Sequence, residues 1–181
     1  SALMGKDTPK VIAGMDTSLQ QYRADMWKHF TTEMPELAKI PEVGTVGDKN
    51  FNVEQVVALQ PDVIFIPVDL KNQYESDAKQ KLDEAGVQTI YIDYHAENLE
   101  KHQKSIEAIG KALGKEERAA EISKFYTDHV TKVLDRVKTI NKPKPTVYLE
   151  VGMKGPEEFS NSFSGNYSWG ALATLCGADV I

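Results

Sequence analysis

Two short apolar runs bounded by helix-breaking residues constrain most strongly how this chain can fold. The first is Val-Ile-Phe-Ile at residues 63–66, and the second is Thr-Ile-Tyr-Ile at residues 89–92, shortly after Gly86. Continuous apolar runs of this length are typical of strands buried on both faces of a sheet. A helix predicted at about residues 73–85 lies between them. The sequence therefore predicts a strand–helix–strand unit with parallel strands.

The same alternation extends toward the N-terminus. Residues 11–13 predict a further short strand, and residues 53–59 predict a helix with Asn52 as its N-cap and Gln55 at the third helical position. Strands and helices thus alternate over residues 10–93, which predicts an α/β lobe built on a parallel sheet. In such sheets ligands bind beyond the carboxyl ends of the strands.

A long amphipathic helix is predicted after this lobe. Residues 99–139 read as helical with a break near Gly114, and after the break apolar residues recur every three or four positions in one stripe. As a single helix, residues 116–138 would be about 35 Å long at 1.5 Å per residue. That length is sufficient to bridge two lobes.

The last part of the chain predicts the beginning of a second lobe. A Lys-Pro-Lys-Pro stretch ends the long helix, and a strand at residues 146–151, a loop rich in Gly, Ser and Asn, and a helix at residues 171–175 follow. We expect this lobe to be truncated at Ile181. The predicted organisation is an N-terminal α/β lobe at residues 1–97, a helical segment at 98–142 and the start of a C-terminal lobe at 143–181.

Composition and motifs exclude several classes of function. The chain has 21 Lys and Arg against 27 Asp and Glu, a net charge of −6 without a basic run, so nucleic acid is not an expected partner. The four histidines show no HExxH spacing, and neither GxSxG nor GxGxxG occurs. We therefore expect no catalytic residue, no protein metal site and no resident cofactor. The single cysteine, Cys176, is expected to be a small buried apolar residue.

Several side chains at predicted strand ends are candidates for ligand contact. Asp16, Asp69 and Asp93 each follow a strand, where a carboxylate can cap the next helix or take part in chemistry. His95 is the best-placed histidine, whereas His102 and His129 are expected to be solvated or boundary residues of long helices. The loop at residues 153–169 carries aromatic and thioether side chains that can stack on a flat ligand or form a satellite core. They are Met153, Phe159, Phe163, Tyr167 and Trp169.

The order and spacing of these features resemble a known family. Residues 40–67, IPEVGTVGDKNFNVEQVVALQPDVIFIP, match its pattern of a Pro/Gly turn, a capped helix and a Pro-Asp strand start. The matching positions there are Pro41, Gly44, Asn52, Glu54, Leu59, Pro61, Asp62, Val63 and Ile64. Further matches are Leu82, Gly86, Val87 and Asp93, residues 112–119, and Trp169, Leu172, Cys176, Gly177, Ala178 and Val180. The chain is similar to substrate-binding proteins of ABC importers for iron-siderophores, heme and cobalamin.

This resemblance implies a fold and a function. The implied fold is the class III periplasmic binding protein type, in which two α/β lobes are joined by one long rigid helix and hold the ligand between them. The implied function is capture of an iron-siderophore or related metal chelate and its delivery to a membrane permease, without enzymatic activity. The implied location is periplasmic, or on the cell surface as a lipoprotein.

The resemblance assigns a role to one residue, and the other candidate site residues are chosen from their position in the predicted fold. The glutamate that matches Glu54 forms a salt bridge with permease arginines in this family, although a carboxylate near a helix N-terminus is also favoured by the helix dipole. Family ligand contacts vary with the cargo, so the ligand candidates come from position alone. They are Tyr22, Trp27, Asp69, Tyr94, His95, Tyr167 and Trp169. Two alternatives stay open: an α/β enzyme or sensor domain that binds a small ligand at the strand ends, and a purely structural or interaction fragment.

Overall fold

The computed structural model describes residues 2–95, 98–150 and 162–181. It divides the chain into two compact units. The first contains residues 1–92 and 112–115, and the second contains residues 93–111 and 116–181. Within the described residues, no helix is both long enough and apolar enough to cross a membrane.

The first unit begins with helical turns. A 3-10 helix at Gly5–Lys10 is followed by α1 (Ser18–Tyr22), α2 (Ala24–Glu33) and a 3-10 helix at Pro35–Lys39. The strand predicted at residues 11–13 is wrong. The Val11 N–H closes the first 3-10 helix by donating to the Thr8 carbonyl at 3.2 Å. Strand pairing here is limited to an isolated parallel bridge between Met15 and Glu42.

The helix–strand junction follows the sequence closely. Helix α3 (Val53–Leu59) begins after Asn52, whose side chain accepts a 3.0 Å hydrogen bond from the Gln55 N–H. It ends at Gln60, which adopts a left-handed conformation with φ 50°. Strand β1 (Val63–Pro67) starts three residues later. The predicted N-cap, helix and strand are all confirmed.

The segment between the strands contains two short helices instead of one. A 3-10 turn at Val68–Leu70 leads into α4 (Lys71–Asp77), and α5 (Lys79–Glu84) follows. The helix is interrupted at Ala78, which has φ −136° and is buried. Strand β2 (Gln88–Ile92) then pairs in parallel with β1, in a register that places Val63 opposite Gln88 and Pro67 opposite Ile92. The predicted parallel pairing is confirmed.

Tyr74 and Leu82 form the centre of the first unit's core. Both side chains are fully buried, and Val56, Ile66 and Val87 pack in the same cluster. The Tyr74 hydroxyl hydrogen-bonds Thr89 at 2.8 Å, which ties α4 to β2. Full burial of both strands is not observed. Ile66 is the one buried residue of β1, and β2 has none, because a two-stranded sheet leaves an open edge on each strand.

Helices dominate the second unit. Helix α6 (Leu99–Ala112) and the 23-residue helix α7 (Glu116–Lys138) are separated at Gly114, which adopts φ 59°. A 2.9 Å hydrogen bond from Gln103 to Thr127 joins them, and Ala119 of α7 is buried. The predicted break near Gly114 and the long helix after it are confirmed.

A second small parallel sheet completes this unit. Strand β3 (Thr146–Val147) pairs with β4 (Asp179–Val180), and α8 (Ser168–Leu175) precedes β4. The strand predicted at residues 146–151 is shorter than expected, and its last residue lies outside the described residues, as do Met153 and Phe159. Helix α8 starts three residues before its predicted position. Cys176 is exposed, so its predicted burial is wrong: it lies just past the end of α8, where the helix gives way to Gly177.

Candidate functional site

Glu54 lies on the second helical residue of α3, in the first unit. The Asn52 cap fixes the start of the helix, so Glu54 projects from its first turn. Its side chain is 78% exposed and pairs with Lys81 of α5, with 2.9 Å between Nζ and Oε1. This hydrogen bond raises the pKa of Lys81. An exposed carboxylate held this way can exchange its lysine partner for a cationic group on another protein.

The other three candidates of the first unit lie on separate elements. Tyr22 is the last residue of α1 and is exposed. Trp27 is half-buried on α2, and Asp69 is exposed in the 3-10 turn that follows β1. The structure does not bring these three side chains onto one element. Their assignment as ligand contacts stays a prediction.

The short segment of residues 93–95 is anchored to α6 in the second unit. The Asp93 N–H donates to the Ser105 hydroxyl at 2.8 Å, and the Asp93 carboxylate pairs with Lys101 at 2.9 Å. One residue on, the Tyr94 carbonyl contacts His102 Nε2 at 2.7 Å. The segment thus follows the first two turns of α6, which fixes where Tyr94 and His95 emerge.

His102 connects this segment to α7. Its Nδ1 lies 2.7 Å from the Tyr126 hydroxyl. A carbonyl can only accept, so Nε2 carries the hydrogen, and in the tautomer with its hydrogen on Nε2 alone, Nδ1 accepts from the Tyr126 hydroxyl. The imidazole also packs edge-on against the Tyr94 ring at 6.0 Å and lies 5.4 Å from the Tyr126 ring. Burial in this cluster raises the pKa of the Tyr94 phenol.

The start of α8 meets the same segment. The Ser168 N–H donates to the His95 carbonyl at 2.8 Å, and Ser168 adopts a left-handed conformation with φ 49°. Gly170 allows the main chain at Ser164 to pass close to α8, because a Cβ at position 170 would lie 1.9 Å from the Ser164 carbonyl oxygen. This close approach depends on a residue without a side chain at position 170.

The main-chain hydrogen bond between Ser168 and His95 joins the two chain segments that carry four of the seven predicted ligand residues. Tyr94 and His95 lie on one side of the Ser168–His95 hydrogen bond, and Tyr167 and Trp169 flank it on the other. Tyr94 is 39% exposed, Tyr167 43% and Trp169 57%. We call Tyr94, His95, Tyr167 and Trp169 the aromatic patch. Exposed rings with a polar edge suit a flat, partly polar ligand.

Two further features of the described residues bear on the kind of site. Across residues 2–95, 98–150 and 162–181, no three His, Cys, Asp or Glu side chains are grouped so that they could hold a metal ion. A cavity of about 80 Å³ lies in the first unit beside Phe51 and Tyr74. It is far below the roughly 300–1,000 Å³ of ligand pockets, and none of the predicted ligand residues lines it.

Sequence reasoning missed His102, Tyr126 and Gly170. His102 and Tyr126 are 24 positions apart on two helices. From the sequence, His102 is expected to be a solvated or boundary residue, and Tyr126 is one residue of the apolar stripe. Only the packing of α6 against α7 brings them into contact. Gly170 lies beside the predicted Trp169. A glycine is required there because the Ser164 carbonyl lies close by, and no local sequence pattern indicates that approach.

Comparisons with known proteins agree with this architecture. Residues 10–169 match the family described as periplasmic binding protein. The chain is 87% identical to the TroA-like periplasmic binding protein FepB of Veillonella parvula, with a TM-score of 0.90 over 99% of this chain and 52% of that chain. It is 32% identical over 114 residues to YvrC of Bacillus subtilis (strain 168), named an uncharacterized ABC transporter substrate-binding lipoprotein. That match covers 62% of this chain and 36% of YvrC.

A more distant structure shares the fold. The siderophore-binding protein BauB, solved with ferric iron and two molecules of acinetobactin, superposes with a TM-score of 0.66 at 21% identity. The match covers 98% of this chain and 58% of BauB. The chain thus spans about half the length of the solved structures and about a third of the curated relative. Because the family match includes most of its residues, the chain belongs to the periplasmic binding protein family.

Proposed function

We propose that this chain is part of the substrate-binding component of an ABC importer that captures an iron-siderophore or a related metal chelate, such as heme or cobalamin. The observation that carries the proposal is the aromatic patch, joined by the 2.8 Å hydrogen bond between Ser168 and His95. YvrC, named an ABC transporter substrate-binding lipoprotein, and BauB, named siderophore-binding, support the same class of function.

The chemistry of a chelate matches what the patch offers. A chelated metal brings its own ligands, so the protein must recognise an organic shell that is flat or partly aromatic. Tyr94, Tyr167 and Trp169 are partly exposed and provide ring faces and edges for stacking, and the Tyr167 hydroxyl and the Trp169 indole N–H can donate hydrogen bonds. His95, which follows Tyr94 in the chain, adds a polar imidazole. No bond is made or broken in this function, which requires no resident cofactor.

Delivery requires a partner in the membrane, which we propose is an ABC permease. Glu54 supports this assignment, because its carboxylate is highly exposed and is already paired with a cation, Lys81. The corresponding surface of the permease would present arginine, which binds carboxylates with two parallel hydrogen bonds. A location outside the cytoplasmic membrane, with a lipid anchor as the name of YvrC indicates for that protein, fits this role.

Thermal unfolding with a chelate panel tests the proposal. The full-length protein would be heated alone and with ferric acinetobactin, hemin or cyanocobalamin. A ligand present at 100 times its Kd stabilises the native state by about 2.7 kcal/mol, which raises Tm by several degrees. Iron-free acinetobactin is the control. We expect one chelate to raise Tm in proportion to the logarithm of its concentration. If none of the chelates changes Tm, the proposed cargo class is wrong.

A further inference from the structure

We propose that His102 is a positioning residue of the ligand-binding surface: it holds the Tyr94 carbonyl and thereby sets how Tyr94 and His95 face the ligand. The inference rests on the proposed function for its meaning in ligand binding. His102 itself is half-buried behind the segment that it holds. It contacts the carbonyl and the ring of Tyr94 and the side chain of Tyr126, and its role is therefore exerted through Tyr94 and His95.

Three consecutive residues of this segment are fixed through their main chain. The Asp93 N–H is held by Ser105, the Tyr94 carbonyl by His102, and the His95 carbonyl by the Ser168 N–H. The first two anchors are on α6 and the third is on α8. Loss of the middle anchor leaves the outer two in place, so the segment stays attached while the peptide group between residues 94 and 95 becomes free to rotate. The Tyr94 and His95 side chains flank that peptide group.

The contact at Nδ1 of His102 orients the imidazole ring, and with it the hydrogen bond from Nε2 to the Tyr94 carbonyl. Tyr126 donates to Nδ1 at 2.7 Å, which holds the ring plane and keeps the hydrogen on Nε2. Histidines whose second nitrogen is fixed in this way are familiar in metal sites, where the outer partner sets both tautomer and ring orientation. Here the oriented N–H points at a main-chain carbonyl of the ligand surface. Tyr126, on α7, thus acts on the aromatic patch through His102.

Two substitutions at position 102 separate the two hydrogen bonds. A glutamine amide nitrogen reaches the place of histidine Nε2, so His102→Gln keeps the donor to Tyr94 and loses the acceptor for Tyr126. An asparagine oxygen reaches the place of Nδ1, so His102→Asn keeps the acceptor for Tyr126 and loses the donor to Tyr94. Both are uncharged amides, and they differ by one methylene group. They form a matched pair for the proposal.

The first measurement is NMR of the full-length protein without ligand. The His95 amide is bonded to the Tyr94 carbonyl carbon, so its ¹⁵N shift reports the hydrogen bond which that carbonyl accepts. We expect His102→Asn to shift the His95 amide nitrogen while the Asp93 amide stays in place, and His102→Gln to leave both close to wild type. Imidazole ¹⁵N shifts should show His102 protonated at Nε2. The proposal is overturned if the His95 amide is unchanged in His102→Asn, or if Nδ1 carries the hydrogen.

The second measurement is affinity for the chelate from the panel that binds best. A lost net hydrogen bond corresponds to about a 3- to 10-fold weaker Kd, which we expect for His102→Asn, with His102→Gln within about 2-fold of wild type. The reverse order would show that the link to α7 matters and the link to Tyr94 does not, which contradicts the proposal. If the wild type binds no chelate, the proposed function fails and a role in ligand binding fails with it. The NMR comparison would still decide whether His102 holds the Tyr94 carbonyl.

Discussion

The ion pair between Glu54 and Lys81 is the residue-scale feature closest to function. Both side chains are mostly exposed, and exposed ion pairs of this kind contribute little to stability. The stability of the fold therefore depends little on this carboxylate. If Glu54 docks the permease, its substitution should reduce transport and leave the stability of the protein nearly unchanged.

Charge reversal separates the two roles. We expect full-length Glu54→Lys to keep its unfolding free energy within about 1 kcal/mol of wild type and to keep its affinity for chelate, because the pair is exposed. Uptake of the chelate by cells should fall at least several-fold. The exchanged pair, Glu54→Lys with Lys81→Glu, restores the internal ion pair and should not restore uptake. Glu36→Lys, an exposed reversal on another element, is the control. Normal uptake by Glu54→Lys would show that this carboxylate does not dock the permease.

Gly44 illustrates a residue whose identity is fixed by a close main-chain approach. It adopts φ 73°, and a Cβ there would lie 2.2 Å from the Asn50 carbonyl oxygen. Gly86 adopts φ 82° with open space around it. We expect Gly86→Ala to cost about 1 kcal/mol for the backbone conformation, and Gly44→Ala to cost clearly more, about 2–4 kcal/mol, because the loop at residues 45–50 must also move. Chemical denaturation of both variants measures the difference. Equal losses would mean that the Asn50 contact is easily relieved.

Residue-scale prediction from sequence succeeded where the signal was local. Asn52 and Gln55 were identified because an N-cap and its partner lie three positions apart. Cys176 was misjudged, since composition predicts burial but its place after α8 exposes it. His102 gave no local signal at all. Its role arises from Tyr94 and Tyr126, which lie 8 and 24 positions away.

At the scale of elements, α5 shows how packing holds the first unit together. Leu82 is the fully buried residue of this six-residue helix, and its cluster includes Val56 of α3 and Ile66 of β1. A helix this short has little stability of its own, so burial of its apolar side chain must hold it. The geometry of α5 matters for function too, because it carries Lys81 to Glu54.

Truncation of Leu82 should therefore be costly. We expect Leu82→Ala to lower the unfolding free energy by about 2–5 kcal/mol, through lost burial and the cavity that remains. Leu172→Ala on α8, where the leucine is 39% exposed, is the matched control and should cost much less. Urea denaturation of both variants gives the comparison. Similar losses for the two would show that Leu82 does not form the centre of this core.

Elements with a clear period or clear boundaries were predicted well from the sequence. The stripe of α7 repeats every three to four residues, and the strands β1 and β2 are bounded by Pro, Asp and Gly. The strand predicted at residues 11–13 failed because the preceding 3-10 turn captures Val11. The helix predicted at residues 73–85 is broken at Ala78, where neither Gly nor Pro marks an interruption. In both cases the surrounding structure overrode the secondary-structure preference of the local sequence.

For the whole molecule, sequence order carried more information than any single motif. The pattern of residues 40–67 combined a turn, a capped helix and a strand, and the family match over residues 10–169 agrees with it. The aromatic patch was only partly predictable. Tyr94 and His95 were chosen because they follow a strand, and Tyr167 and Trp169 because they lie in an aromatic loop. Their meeting depends on the Ser168–His95 hydrogen bond, which joins positions 73 residues apart and has no local signature.

Equilibrium titration of the full-length protein with metal chelates tests the central claim most directly. The intrinsic tryptophan fluorescence of the unsubstituted protein would be followed, because Trp27 and Trp169 are both candidate ligand contacts. We expect that ferric acinetobactin, hemin or cyanocobalamin quenches this fluorescence to saturation with a Kd of about 1 µM or lower. Quenching that only rises linearly with each chelate, and never saturates, would contradict the claim that this protein is an importer's chelate receptor.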